Sequence, residues 1–134
     1  MIAVCLVVAG VVRATLPGPD FTLAWEHSVA KTQWQESYRV VDRRLTLVEA
    51  RVQGNGAGME SPPGALLHDG AWSWQPGSTH DEIRLTHSTY TRDYILCTAG
   101  RCAGLGDWTG ATADGEVVSV RPCEPSAGGQ QVGR

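Results

Sequence analysis

Residues 20–30 read DFTLAWEHSVA, with apolar side chains at Phe21, Leu23, Trp25 and Val29 and mostly polar or small ones between them. This period-two alternation predicts a strand with one buried face. A second such stretch covers residues 32–41, where Trp34, Glu36, Tyr38 and Val40 share a face, and a third covers residues 45–53. Further short strands are predicted at 71–75, 82–88, 93–97, 103–105 and 116–121. Turn signals separate them: Asp42-Arg43-Arg44, His68-Asp69-Gly70, residues 76–81 and Asp114-Gly115. Residues 54–65, GNGAGMESPPGA, read as a loop. No long stretch carries helical periodicity. The pattern predicts an all-β fold: a small antiparallel β-sandwich or barrel-like domain of about seven or eight short strands with little helix.

The ends differ from this pattern. Residues 1–12, MIAVCLVVAGVV, form an uncharged apolar run. It is shorter than the about 20 residues that span a bilayer and has the length of a signal-peptide core. Val12 and Ala14 stand where a cleavage site wants small residues, so residues 1–14 are expected to be a signal peptide and the mature chain to begin near Thr15. No basic segment precedes the run, and the true start of translation is allowed to lie upstream. Left uncleaved, the run would anchor the protein; a buried first strand is the remaining reading. Residues 15–123 are expected to be one β domain, and residues 124–134, which lack apolar periodicity, a disordered tail.

Composition narrows the function. The chain has 134 residues and a net charge of -3, with Lys31 its one lysine, so it lacks the basic footprint of a nucleic-acid binder. Export makes disulfides available. With Cys5 removed in the leader, three cysteines remain. Cys97–Cys102 is the first choice of pair, closing a turn, and Cys123 is the alternative partner of Cys102. The spacing does not suit a zinc knuckle.

Two histidines fall on faces that should be apolar: His27 with Phe21, Leu23 and Trp25, and His87 with Ile83 and Leu85. Each precedes a serine, but adjacent strand residues point to opposite faces, so neither His27-Ser28 nor His87-Ser88 can act as base and nucleophile. There is no G-x-S-x-G elbow, and no catalytic residue or cofactor is expected. The histidines are expected to lie near each other as buried, hydrogen-bonded structural or pocket residues. With Glu36 they would make an alternative site for a metal or small ligand. Glu36 is unusual beside Trp34 and Tyr38, and Arg39 or Arg51 is expected to pair with it. The glycines at 54–58 lack the following helix and Lys-Ser/Thr of a nucleotide cradle. If the first three predicted strands form a meander, Lys31, Thr32 and the loop at Gly56, Ala57, Gly58 and Met59 lie at one end. Together with Glu36, that end is expected to meet a ligand or partner. Of the five tryptophans, Trp72 and Trp74 share a face.

The segments FTLAWEHSVAKTQWQESYRV, LTLVEARVQGNGAGM and PPGA resemble the bacterial domain-of-unknown-function family 1850 (DUF1850). The resemblance covers residues 21–65, and the cysteine hairpin more loosely. It implies a small periplasmic or other extracytoplasmic protein whose gene accompanies TAXI-type tripartite (TRAP) transporters. Such systems move small carboxylates and amino acids with a separate binding protein. The implied partners are therefore the transporter's membrane subunits or its solute-binding protein, and a small carboxylate is the implied ligand. The family supplies no catalytic residues. The expected function is a non-enzymatic transport accessory; the alternative is a stand-alone small-ligand or metal-binding protein using His27, Glu36 and His87.

Overall fold

The computed structural model describes residues 2–27, 32–53, 64–68, 70–87, 93–110 and 113–124, with His27 described by its backbone alone. Among these, the strands are β1 (Ala3–Val8), β2 (Val11–Leu16), β3 (Asp20–His27), β4 (Thr32–Val41), β5 (Arg44–Gln53) and β6 (Leu66–His68). They continue with β7 (Ala71–Trp74), β8 (Thr79–His80), β9 (Ile83–Thr86), β10 (Ile95–Thr98), β11 (Arg101–Gly104) and β12 (Val117–Cys123). One short helix, α1 (Leu105–Thr109), follows β11.

Two antiparallel sheets form. The smaller runs β2-β1-β12-β9; the larger runs β11-β10-β3-β4-β5-β7-β6, with β8 pairing near the start of β5. Neither closes into a barrel, so the fold is an all-β sandwich. The core lies between the sheets. Val4, Leu6, Val8, Val118 and Val120 from the small sheet meet Phe21, Leu23, Tyr38, Leu45, Leu47 and Leu96 from the large one, with Leu105 of α1 closing one side. Each such buried side chain contributes about 1.5–3 kcal/mol.

Local chemistry sets the connections. Three hairpins turn on residue pairs that both have positive φ: Ala9-Gly10, Asp42-Arg43 and Ala99-Gly100. Two-residue turns of this hand match the right-handed twist of the flanking strands. The predicted meander is present, as β3-β4-β5. One irregularity matters within it. Ser37 pairs with Glu49 but Tyr38 pairs with Leu47, leaving Val48 as an extra residue in β5. Alternation therefore slips at Val48: Leu45 and Leu47 face the core before it, Ala50 and Val52 after it.

The apolar segment expected to be a leader forms β1 and β2. All six residues of β1 are buried, and the strand pairs with β2 on one side and β12 on the other. The sequence therefore shows an unbroken apolar run where alternation was required to reveal a strand. Cys5, set aside with the leader, is bonded to Cys123, and Cys97 to Cys102. No cysteine is free. Two disulfides fit an extracytoplasmic protein. Among the described residues, no helix is long and apolar enough to cross a membrane. Of the expected tail, Glu124 is described and pairs with Arg43 at 3.3 Å; residues 125–134 lie outside the described set.

Candidate binding site

The register of the large sheet stacks side chains into rows. Leu23, Glu36, Ala50 and Trp74 make one row, and Trp25, Trp34, Val52 and Trp72 the next. Strand parity puts these rows on the face that bears Phe21 and Tyr38, which is the core face. The intervening rows, Ala24-Gln35-Arg51-Ser73 and Glu26-Gln33-Gln53-Ala71, face the other way.

On the core face the tryptophans are half-buried rather than sealed in. The Tyr94 ring lies 5.6 Å from Trp25, Trp25 stacks on Trp34 at 6.2 Å, and Trp34 meets Trp74 edge-on at 6.5 Å. These distances and tilts are those aromatic quadrupoles favour. Half-buried Glu36 sits in this company, and the Tyr38 hydroxyl donates to its Oε1 at 2.7 Å. Burial, and then Glu36, push the Tyr38 phenol well above its ordinary value; burial, Glu36 and Asp93 push Tyr94 up as well. Thr32, buried at the start of β4, accepts a hydrogen bond from Trp34 Nε1 at 3.1 Å.

The expected pairing of Glu36 with Arg39 or Arg51 does not occur. Arg39 is on the opposite face and pairs with Asp20, its cross-strand partner, at 2.7 Å. Arg51 is one residue out of phase with Ala50 and faces away too. The same parity rule that excluded the His-Ser pairs excludes these.

His87 lies at the end of β9, in the small sheet. Its Nδ1 is 3.2 Å from Asp93 Oδ1, yet that buried nitrogen makes no hydrogen bond among the described residues. The expectation of a hydrogen-bonded His87 fails at this nitrogen because the Asp93 oxygens point at backbone donors. Tyr94 N–H donates to Oδ1 at 3.0 Å, and Gly106 N–H donates to Oδ2 at 2.7 Å. A Cβ on Gly106 would meet His87 Cε1 at 2.9 Å, so the ring fits only because residue 106 has no side chain. Asp93 thereby joins the end of β9 to the start of β10 and to α1.

On the outer face a cavity of about 520 Å³ lies over β3, β4 and β5. Its lining joins Glu26, Gln33, Gln35 and Arg51 of the outer rows to Trp25 and Trp34 of the tryptophan row, which reach its edge. It occupies the end of the meander where β3 gives way to β4 and β5 leaves the sheet. The volume is that of a small-molecule site. Arg51 and the glutamine amides offer donors and acceptors; Glu26 adds one negative charge.

Of the expected binding residues, Thr32 and Glu36 fall on one face at this end. Lys31, Gly56, Ala57, Gly58 and Met59 lie outside the described residues, as does the His27 side chain, so its approach to His87 is not described; the His27 backbone pairs with Thr32. Among the described residues, no three His, Cys, Asp or Glu side chains come together as metal ligands. Asp93, Tyr94 and the polar outer rows were not anticipated. Strand parity applied across β3, β4 and β5 would have found the rows; only the tertiary fold brings in Asp93 and Tyr94.

No solved structure and no curated protein matches this chain. A family model described as "Domain of unknown function (DUF1850)" matches residues 21–105, which hold β4 to β11, all of β3 but Asp20, and with them Glu36, Asp93, Trp25, Trp34, Trp74 and Tyr94. Covering more than half of the sequence, that match places the chain in the DUF1850 family.

Proposed function

We propose that this chain is a periplasmic, non-enzymatic binding domain that serves a TAXI-type tripartite (TRAP) solute transporter as an accessory. The observation that carries the reading is the cavity of about 520 Å³ at the β3–β4 end of the large sheet. It sits on a disulfide-braced scaffold, and its lining sets glutamine amides and a single arginine beside the Trp25 and Trp34 rings. Such a surface suits recognition of a polar ligand or partner segment. The link to transport comes from the family resemblance. The non-enzymatic part of the reading rests on the sequence, which carries no G-x-S-x-G elbow.

The test is transport by a strain lacking the gene, complemented with wild type or with Ala24→Trp plus Gln35→Trp, which fill the cavity floor. Uptake of small carboxylates and amino acids is measured with the domain's periplasmic abundance. The filled variant should accumulate normally and fail to restore uptake, and a photo-crosslinker at Gln33 should capture a membrane subunit or the solute-binding protein. Normal uptake in the deletion strain, or full complementation by the filled variant, would overturn the proposal. Arg51 among the glutamines supports a second reading, a stand-alone carboxylate binder. That reading predicts normal uptake together with thermal stabilisation by small carboxylates that Arg51→Ala abolishes.

A further inference from the structure

We propose that the core face of the large sheet, where it carries Glu36 and the tryptophan row, binds an alkylammonium cation. Glu36 is the counter-ion, and Trp25, Trp34, Trp74 and Tyr94 form the walls. Trp25 and Trp34 also line the cavity of about 520 Å³, so the site adjoins it, but the argument for a cation rests on Glu36 and the rings and not on the transporter reading.

The first argument is charge. An ionised carboxylate offers two oxygens and about four acceptor positions. Among the described residues Glu36 has one polar partner, the Tyr38 hydroxyl. The described arginines do not reach it. Arg39 is held by Asp20, Arg44 by Asp81, Arg43 by Glu124, and Arg84 and Arg121 by Glu82. Arg101 lies over Trp108 at 4.4 Å, Arg51 lines the cavity, and Arg13 is exposed on β2 of the small sheet. Among the described residues no cation meets this half-buried carboxylate, and such a group favours a positive ligand.

The second argument is the wall chemistry. Aromatic faces carry negative potential, and organic cations, being weakly hydrated, gain most from lying over them. Four rings in a row, each in contact with the next, provide that surface beside the carboxylate. All four are half-buried, so each ring keeps some accessible surface. Burial, and then Glu36, push the Tyr94 phenol up, so it remains a neutral wall. The neighbouring negative group, Asp93, is occupied by His87 and two backbone donors.

The third argument is what the site lacks for other cations. A metal ion seeks several oxygen or nitrogen ligands, and Glu36 belongs to no group of three such side chains among the described residues. One carboxylate plus rings is the recognition set for an ammonium head on a carbon chain. That head has two sources, a free amine or a lysine side chain.

The experiment uses the full oxidised chain. Tryptophan fluorescence and amide NMR shifts are followed during titration with tetramethylammonium chloride and n-butylammonium chloride, against sodium chloride at matched ionic strength. Saturable quenching is expected with the ammonium salts and not with sodium. Glu36→Gln should weaken binding about tenfold or more, and Trp74→Leu several-fold, while Arg44→Ala, at the ion pair with Asp81, leaves it unchanged. If Glu36→Gln does not fold, Trp74→Leu and Glu36→Asp carry the comparison. A parallel titration with N-acetyl-lysine methylamide separates the sources: binding of the small amines alone assigns a free amine, and binding of both assigns a lysine side chain. The proposal is overturned if the ammonium salts act no differently from sodium chloride, or if folded Glu36→Gln binds with wild-type affinity.

Discussion

Cys5 is disulfide-bonded to Cys123 across a sequence separation of 118, so the first and last described strands are covalently one unit. Their backbones pair as well, from Ala3 opposite Cys123 to Val8 opposite Val118. The small sheet is thus built around a union of chain ends.

This union gives a stability ranking. Closing so long a loop contributes about 4.7 kcal/mol by chain entropy, while the Cys97–Cys102 loop contributes about 2 kcal/mol. Replacing Cys5 and Cys123 by serine should therefore lower urea stability by roughly twice as much as replacing Cys97 and Cys102. The same packing predicts that residues 3–16 remain in the mature protein. Cleavage before Thr15 would remove Val4, Leu6 and Val8 from the core and leave Cys123 unpaired. N-terminal sequencing of exported material checks this directly; a terminus at Thr15 on folded protein would contradict it.

At Gly106 two effects oppose each other. Alanine is the better helix former by about 1 kcal/mol, but its Cβ would lie 2.9 Å from His87 Cε1. His87 is half enclosed and held beside Asp93, so the clash should win, and Gly106→Ala should destabilise by about 1–3 kcal/mol. The measurement is a double-mutant cycle with His87→Ala. The pair should be coupled, with Gly106→Ala neutral or stabilising once the ring is gone.

The two core-face tyrosines make stability depend on alkaline pH. Tyr38 and Tyr94 are pushed above the ordinary phenol value of 10.0, first by burial and then by Glu36. The folded state holds protons that the unfolded state releases. Stability is therefore fully present below pH about 10 and falls as pH rises above it. Ultraviolet titration should show Tyr38 and Tyr94 ionising late, and Glu36→Gln should bring both closer to the ordinary value without abolishing the effect of burial.

How far the fold could be read from the sequence depended on how each strand is buried. β3 and β4 alternate because one face of each is solvated or cavity-lining, and Phe21, Leu23, Trp25, Trp34 and Tyr38 marked them plainly. β1 is buried on both faces, and a doubly buried strand has the apolar profile of an export signal. β6 and β8 have three and two residues, too few for any period to emerge, and α1 is a five-residue turn of helix. In the site, Glu36 was conspicuous because a carboxylate interrupted an aromatic face. Its surroundings were less so. Tyr94 and Asp93 come from a distant strand entry, and Arg39 was suggested by proximity in sequence although parity sends it to the other side. The Cys5–Cys123 bond was hidden for the same reason as β1.

The extra residue Val48 has a consequence for how the two surfaces coexist. It acts as a phase shifter in β5: before it odd positions point inward, after it even positions do. Removing that one residue would invert the later half of the strand. Arg51 would turn toward the tryptophans and Glu36, while Ala50 and Val52 would turn toward the amide-lined cavity. Which face Arg51 joins is thus set by a single inserted position, and the chemistry of both faces is encoded in one count.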